Sequence, residues 1–317
     1  MSGFEIETYR AEHRDAYLRL MSEAWEPGAM SGEVFDWWFL RNPAGSLMSV
    51  AVIEGAVVGV ASHTLAHLRL RGQDRLAQYS VHAVTSERAR GLGIFKALER
   101  RHEELGQERG SACVLAFASA STHALFLGPL GWSQIDRRRV WGRPLRGAIG
   151  RRLRRHSSRP SPRSRASDVR SLDRFDAEQE EAYGTVAPLL RNHVIRDRAY
   201  LQWRYVDTPK GYSAYASSDG FAVVGRGQRG RIATALLMEL VAPPDRARPL
   251  LRHCIRETKG ADVLLAVPSP TLPTSLLARC GFAPLHTRLD YMGKALALPL
   301  ERASDSWAVS LGDTDFF

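Results

Sequence analysis

The sequence predicts an α/β chain, α+β in detail, built as two tandem units, each a mixed, mostly antiparallel sheet flanked by helices. Three observations predict it. The chain has 317 residues, about twice the usual size of one domain. Apolar runs with strand-like spacing and Gly-containing turns alternate with amphipathic helical stretches. The second half also repeats the element order of the first.

In the first half, "HRDAYLRLMSEAW" carries apolar residues at helical spacing, and "EPGAMS" breaks it. "SGEVFDWWFLRNPAG" predicts a short helix, capped by Ser31 and ended by Asn42-Pro43 and Gly45. "LMSVAVIEGAVVGVASHTLAHLRL" predicts two antiparallel strands turning at Glu54-Gly55, and "RGQDR" a second turn into the strand "LAQYSVHAV". "GIFKALERRHEELGQERG" predicts a helix ended by Gly110, "ACVLAFAS" a buried strand, and "THALFLGPLGW" a short helix and turn. "RRRVWGRPL" is read as the last strand of this half.

The second half follows the same order. "RDRAYLQWRYVDTPKGYSAYAS" repeats the aromatic helix and turn, with Trp203 in the place of Trp38 and Pro209 near that of Pro43. Hairpin strands follow in "GFAVVGRGQRGRIATALLMELVA", then a helix, the strand "ADVLLAVPS", and "SLLARCGFAPL" as the parallel of "ALFLGPLGWSQI". The expected domains are 1–145 and 169–317, joined by an Arg/Ser/Pro-rich linker at 146–168.

The net charge of +10 is concentrated in one stretch. Arg137 to Arg170 holds thirteen arginines and the single acid Asp168, so the rest of the chain is slightly acidic. Arg, Ser and Pro without interleaved aromatics suit a solvated connector better than a nucleic-acid site. No apolar run reaches the ~20 residues of a membrane span. The polar, acidic start is unlike a signal peptide. Cys113, Cys254 and Cys280 are isolated and lack metal-ligand spacing, which predicts reduced thiols in a cytoplasmic protein and no metal.

One segment stands out. In "YSVHAVTSERARGLGIFKALERR" a strand turns into a helix through two glycines flanked by arginines. The first N–H groups of that helix have no internal partner, and its dipole adds positive charge there. Bare Gly91 and Gly93 let a bulky anion approach, and Arg88 and Arg90 add charge, so the segment reads as a pyrophosphate site. Tight packing at a helix start is the alternative. No Lys-Ser/Thr follows, which excludes a P-loop. Antiparallel strands before it, and no acid about twenty residues on, argue against a dinucleotide fingerprint. The second half has "APPDRARPLL" at this point, without the glycines.

On these residues the sequence resembles the GNAT acyltransferase superfamily. The family signature Arg/Gln-x-x-Gly-x-Gly/Ala is matched by Arg88-Ala89-Arg90-Gly91-Leu92-Gly93. The order of meander, loop, helix, strand and short helix ending in Gly131-Trp132 also matches, from Phe4 to about Leu145. The "WWFLRNPAG" stretch resembles members acting on amino sugars and other natural-product amines. The resemblance implies an acetyl- or longer acyl-CoA co-substrate. The amides of Arg88 to Ile94 would hold its pyrophosphate, and Ala83 and Val84 would pair with pantetheine. It also implies that the second half is a degenerate copy without a CoA loop. One departure is clear. Where many members carry an acid-donating tyrosine, four residues before the Gly-aromatic pair, this chain has Leu127, with Phe126 beside it.

A general base is still needed, because an amine attacks only when neutral. Strict alternation puts Gln78, Ser80, His82 and Val84 on one strand face, which makes His82 a candidate base or a packed core histidine. His193, in "LLRNHVIRD", is the second candidate, read as a loop residue or a helix-ending surface residue. His123 is implied near the thioester end or simply starts a helix. Trp38 and Trp203 are candidates for stacking on the acceptor, with core packing as the alternative reading. The expected function is N-acylation of a primary amine, such as an amino sugar of a glycosylated natural product made in antibiotic biosynthesis. A non-catalytic acyl-CoA-binding module and a nucleic-acid-associated acetyltransferase using the basic linker are the alternatives.

Overall fold

In a computed structural model the chain is described over residues 3–24, 30–146, 169–258, 260–303 and 306–314. Apart from Arg146, the basic linker at 146–168 lies outside the described residues. Two compact units emerge. One comprises Met1–Leu68, Gln73–Ile135 and Asp290–Arg302; the other comprises Arg69–Gly72, Asp136–Leu289 and Ala303–Phe317.

In the first unit, β1 (Glu5–Thr8), β2 (Ser46–Ile53), β3 (Ala56–Leu70), β4 (Gln73–Thr85) and β5 (Cys113–Ala118) lie side by side in chain order. The turns are where sequence reading puts them. Glu54 and Gly55 have φ of 49° and 78°, and Arg71 and Gly72 have 51° and 80°. Two consecutive positive φ angles match the right-handed twist of a tight hairpin, and glycine in second place eases the strain. β1, β2 and β3 are antiparallel neighbours, whereas β4 and β5 run parallel.

Two helical layers cover this sheet. α1 (Arg14–Ala24) and α2 (Gly32–Phe35) bring Tyr17 and Phe35 together, ring centroids 5.0 Å apart, and the Tyr17 hydroxyl lies 2.7 Å from Ser62 Oγ. Ser31 caps α2 by accepting from the Val34 N–H at 3.2 Å. The chain then widens into a π-helical turn over Asp36–Leu40, which buries Trp37, Trp38 and Phe39 in succession. On the other face, α3 (Ile94–Glu108) packs Ile94 and Leu98 against Ala51, Val58 and Ala61. A Cβ on Gly59 would stand 2.6 Å from Ile94 Cγ2, so the close seating of α3 requires that glycine. α4 (His123–Leu127) follows β5 and sets Phe126 with Trp132.

The strand predicted to close the first half departs from expectation. β6 (Ser133–Pro144) begins in the first unit, but from Asp136 onward it belongs to the second. There Pro144 to Trp141 pair antiparallel with β12 (Val263–Ala266). The other side of β5 is taken by residues Asp290–Ala295, from the last strand of the chain. Each parallel strand would otherwise expose an unpaired edge, and each finds its partner in sequence-distant chain. Local sequence pattern carries no trace of that pairing.

The second unit is ordered β6, β12, β11 (Ile232–Val241), β10 (Gly220–Arg229), β9 (Ser213–Ser217) and β7 (Arg170–Leu172). The pairings are antiparallel except for parallel β11 and β12. The helices are α5 (Ala177–Val186), α6 (Arg198–Tyr205), α7 (Ala247–Glu257) and α8 (Thr274–Arg279), with a short strand β8 (Asn192–Val194) between α5 and α6. α7 presents Leu250, Leu251 and Cys254 to Leu237, Leu240 and Leu264. Hairpin, helix, strand and short helix thus recur in the order of the first unit.

Candidate active site

β4 provides the frame of the site. Gln78 Nε2 donates to the His102 carbonyl at 3.2 Å, and Ser80 Oγ donates to Glu99 Oε1 at 2.9 Å, so both side chains point toward α3. His82 faces the other way. Its ring stands edge-on to Trp38 and Phe39, with centroids 6.2 and 5.8 Å away. Ala83 then packs with Ile94 and Leu98 beneath α3. Alternation therefore slips by one residue between Ser80 and His82, the mark of a bulged strand. This corrects the expectation that Gln78, Ser80 and His82 share a face. An extra residue between apolar Val81 and Ala83 leaves the pattern unreadable in one dimension.

The slip has a structural consequence. Parallel pairing of β4 with β5 ends at Tyr79 and Leu115, although β4 continues to Thr85 and β5 to Ala118. Past that point the two strands part. The end of β4 that β5 no longer pairs with, including Ala83 and Val84, runs on into the glycine loop.

In the loop, the Ser86 N–H bonds to the Val58 carbonyl at 2.8 Å, and a short 3-10 turn buries Ala89. Gly91 and Gly93 have φ of 84° and 80°. A Cβ at either position would meet nothing within 4 Å, so the left-handed backbone, rather than crowding, requires glycine. Gly93 stands at the N-cap position of α3 without a side chain to cap it; the first helical bond runs from the Ala97 N–H to the Gly93 carbonyl at 3.0 Å. The N–H groups of Ile94, Phe95 and Lys96 are left for an outside acceptor, at the positive end of a fifteen-residue helix.

A groove of about 360 Å³ opens over those groups. It gathers Ala89, Arg90, Gly91, Gly93 and Ile94 from the predicted loop, with Leu125 and Leu130 as an apolar wall opposite. Leu92 points outward, and Arg88 lies in a separate groove beside Glu87. Arg90 pairs with Glu87 at 3.1 Å, but both are exposed and the pair is weak. Lys96, which sequence reading passed over, is the other cation of the groove. Its signal was its place in the first helical turn.

Behind β4 lies a buried polar cluster. His63 Nε2 is 3.0 Å from Glu99 Oε2, and the His102 ring is 4.4 Å from that of His63. Burial, then His63 and Arg101, pulls His102 well below the ordinary 6.5 and keeps it neutral. Neither His102 ring nitrogen has a hydrogen-bond partner among the described residues. The cluster faces α3, on the opposite side of the sheet from His82.

The remaining candidates are distributed as follows. Trp38 joins the aromatic wall against His82 and is buried at 6% exposure. Trp203 is buried within the second unit beside Tyr200. His193 is neither a loop nor a surface residue. It lies in strand β8 of the second unit, 2% exposed, with Nε2 2.8 Å from the Tyr183 hydroxyl. The polar "RNH" disguises a strand that the surrounding apolar groups bury. His123 starts α4, and Nε2 is 3.4 Å from Gln134 Oε1. Leu127 is exposed at the end of α4, and Phe126 fills the core, so no side chain of α4 offers a phenol.

Hydroxyls not anticipated from the sequence do gather on β5 and β4. Ser119 Oγ is 2.8 Å from Ser121 Oγ and 3.0 Å from Thr122 Oγ1, just past the end of β5. The Tyr79 hydroxyl lies 3.0 Å from that of Tyr291, which enters on the last strand. Among the described residues no group of three His, Cys, Asp or Glu is placed to hold a metal ion, and no helix is long and apolar enough to cross a membrane. The three cysteines are free and buried, and burial pushes Cys113 and Cys254 up to about 12.

No family model and no curated protein matches this sequence. Solved structures do. A GCN5-related N-acetyltransferase from Anabaena variabilis is similar with a TM-score of 0.69 and 12% identity, over 92% of this chain and 73% of its own. The fold is that of a GCN5-related N-acetyltransferase. Eis1 from Mycobacterium abscessus is similar over 92% of this chain and 73% of its own, with a TM-score of 0.59 and 17% identity. N-myristoyltransferase from Saccharomyces cerevisiae, solved with bound myristoyl-CoA, is similar over 92% of this chain and 83% of its own, at 0.62 and 14%.

Proposed function

We propose that the chain is an acyl-CoA-dependent N-acyltransferase that moves an acyl group from a thioester to a primary amine. One observation carries this reading: two left-handed glycines open onto the uncapped start of α3, beside a groove, at the end of a bulged β4 from which β5 has parted. The groove's donors fit a pyrophosphate. The N–H groups from Gly91 to Lys96 would hold it, with Arg90 and Lys96 adding charge. Ala83 and Val84, past the last residue of β4 that pairs with β5, would meet a pantetheine arm along that edge. Bound there, acyl-CoA supplies an activated acyl group.

The residues of this chain do the rest. His82, held edge-on by Trp38 and Phe39, takes the proton from the attacking amine, directly or through water. A thiol, with an ordinary pKa of about 8.5, leaves as thiolate without a dedicated acid. That suits a site with Leu127 where a tyrosine is common. The two units are read as tandem copies of one fold, the second lacking the loop, and three buried thiols suit a reducing compartment such as the cytoplasm. The acceptor is read as an amino sugar of a glycosylated natural product, on the likeness of the "WWFLRNPAG" stretch to enzymes that use such amines.

The test is thiol release from acetyl-, octanoyl- and palmitoyl-CoA with a panel of amines including glucosamine conjugates. Amine-dependent release is the expected result. CoA binding without release from any amine would make the chain an acyl-CoA-binding module instead.

A further inference from the structure

The second unit contains the same slip as β4. Val223 pairs with Glu239 and Val224 with Leu237, so Met238 is an extra residue in β11. Pairing of β11 with parallel β12 ends at Leu236 and Leu265, while β11 runs on to Val241. Between the parted strands lies a small cavity with room for about 40 Å³, lined by Leu237 to Val241, by Val267 and Ser269 past β12, and by Tyr183 and His193. The chain that follows β11 is Ala242-Pro243-Pro244-Asp245-Arg246. Proline has no N–H to offer, and Arg246 turns to Asp219 at 2.7 Å, so no anion cradle stands at this mouth.

The polar side chains that line the cavity are instead Glu239 and its partner Arg196, with Tyr183, His193, Ser269, Thr271 and Ser310. Glu239 is 3% exposed, and all its side-chain bonds fall on Oε1: from Arg196 Nη2 at 3.0 Å, the Tyr205 hydroxyl at 2.7 Å and Ser310 Oγ at 3.1 Å. Oε2 accepts no hydrogen bond from the described residues. A carboxylate oxygen beside a small cavity, with no donor among the described residues, is answered most strongly by a cationic N–H. Arg196 cannot give more. Its other contacts are Asp313 Oδ1 at 2.7 Å, Ser310 Oγ at 3.1 Å and the Val194 carbonyl at 2.6 Å. The nearby Arg204 is turned to the carbonyls of Gly312 and Thr314. Burial pushes Glu239 upward and Arg196 opposes it.

We propose that this cavity binds a small protonated primary amine, with Glu239 Oε2 as its anionic partner and Val186, Leu240, Val267 and Leu272 covering its alkyl part. The volume admits a head of only a few non-hydrogen atoms, about the space of three waters. The site is independent of the acyl-transfer reading, since it uses neither the glycine loop nor His82.

The test follows the thermal unfolding midpoint of the full chain with increasing propylammonium chloride, against 1-propanol and sodium propionate at matched ionic strength. A ligand that binds only the folded state raises the midpoint with concentration. Propylammonium is expected to raise it and the other two are not. The rise should vanish in Glu239→Gln and in Ala308→Leu, which fills the cavity from another wall. If Glu239→Gln does not fold, Ala308→Leu decides. Equal stabilisation by propanol, a rise that survives Ala308→Leu, or no rise at all, as for a cavity that holds only water, overturns the proposal.

Discussion

β4 and β11 bulge and then leave their parallel neighbours at matching places, Tyr79–Leu115 in the first unit and Leu236–Leu265 in the second. Past those points the units diverge. In the first, Ala83 and Val84 lead into left-handed glycines and an uncapped fifteen-residue helix, and the opening is a groove rimmed by N–H groups and cations. In the second, Leu240 and Val241 lead into Pro243-Pro244, and the opening is a small cavity around a carboxylate. The position of His82 is taken by Glu239. The parted sheet is therefore a property of the fold, while the sign of charge it attracts is set by two or three residues at the mouth.

Four substitutions break or sharpen that contrast. The largest effect is expected from Arg196→Met, which strands Glu239 and Asp313 in the second unit. Removing one partner of a buried pair costs about 3–5 kcal/mol, measurable by urea unfolding, with hydrogen exchange rising first in β8, β11 and α5. Gly91→Glu acts on the other side of the comparison. A bulky acid in a left-handed position facing the anion groove should weaken CoA binding about hundredfold or more by calorimetry, a loss of about 3 kcal/mol. Unchanged affinity would remove the pyrophosphate assignment.

His82→Ala should lower turnover about hundredfold, at the lower end for a lost general base, with CoA affinity retained. A loss confined to KM would make His82 a packing residue. The smallest effect concerns the cluster beneath α3. His102 has a folded pKa far below 6.5, whereas the unfolded chain titrates near that value. Below 6.5 the unfolded state binds a proton that the folded state refuses, so stability present above 6.5 is lost as pH falls. The groups acting on His102 are His63, whose ring Glu99 meets on its Nε2, and Arg101. His102→Phe should flatten the acid limb of stability against pH between 7 and 5; an unchanged slope would assign that limb to other groups.

The elements of the first unit were legible because their signals are local. Glu54-Gly55 and Arg71-Gly72 announce hairpins, Ser31 announces a cap, and Gly91 and Gly93 announce a break before a helix. What stayed hidden depends on pairing between distant residues. The slip between Ser80 and His82 falls where apolar Val81 and Ala83 fit either face. Arg137–Leu145 has the pattern of a strand but nothing that names β12 as its partner. His193 sits among polar neighbours in sequence, yet Tyr183 and the apolar groups around it are assembled only in three dimensions. Glu239 is one acid in an apolar strand, and its meaning depends on Arg196, Tyr205 and Ser310, which arrive from three other segments.

The central claim is that the first unit alone keeps an anion cradle for CoA. Isothermal titration of the full chain with CoA, together with Gly91→Glu, tests it directly. The account predicts one CoA per chain, lost in the variant. Two equivalents, or one equivalent that survives Gly91→Glu, would contradict it.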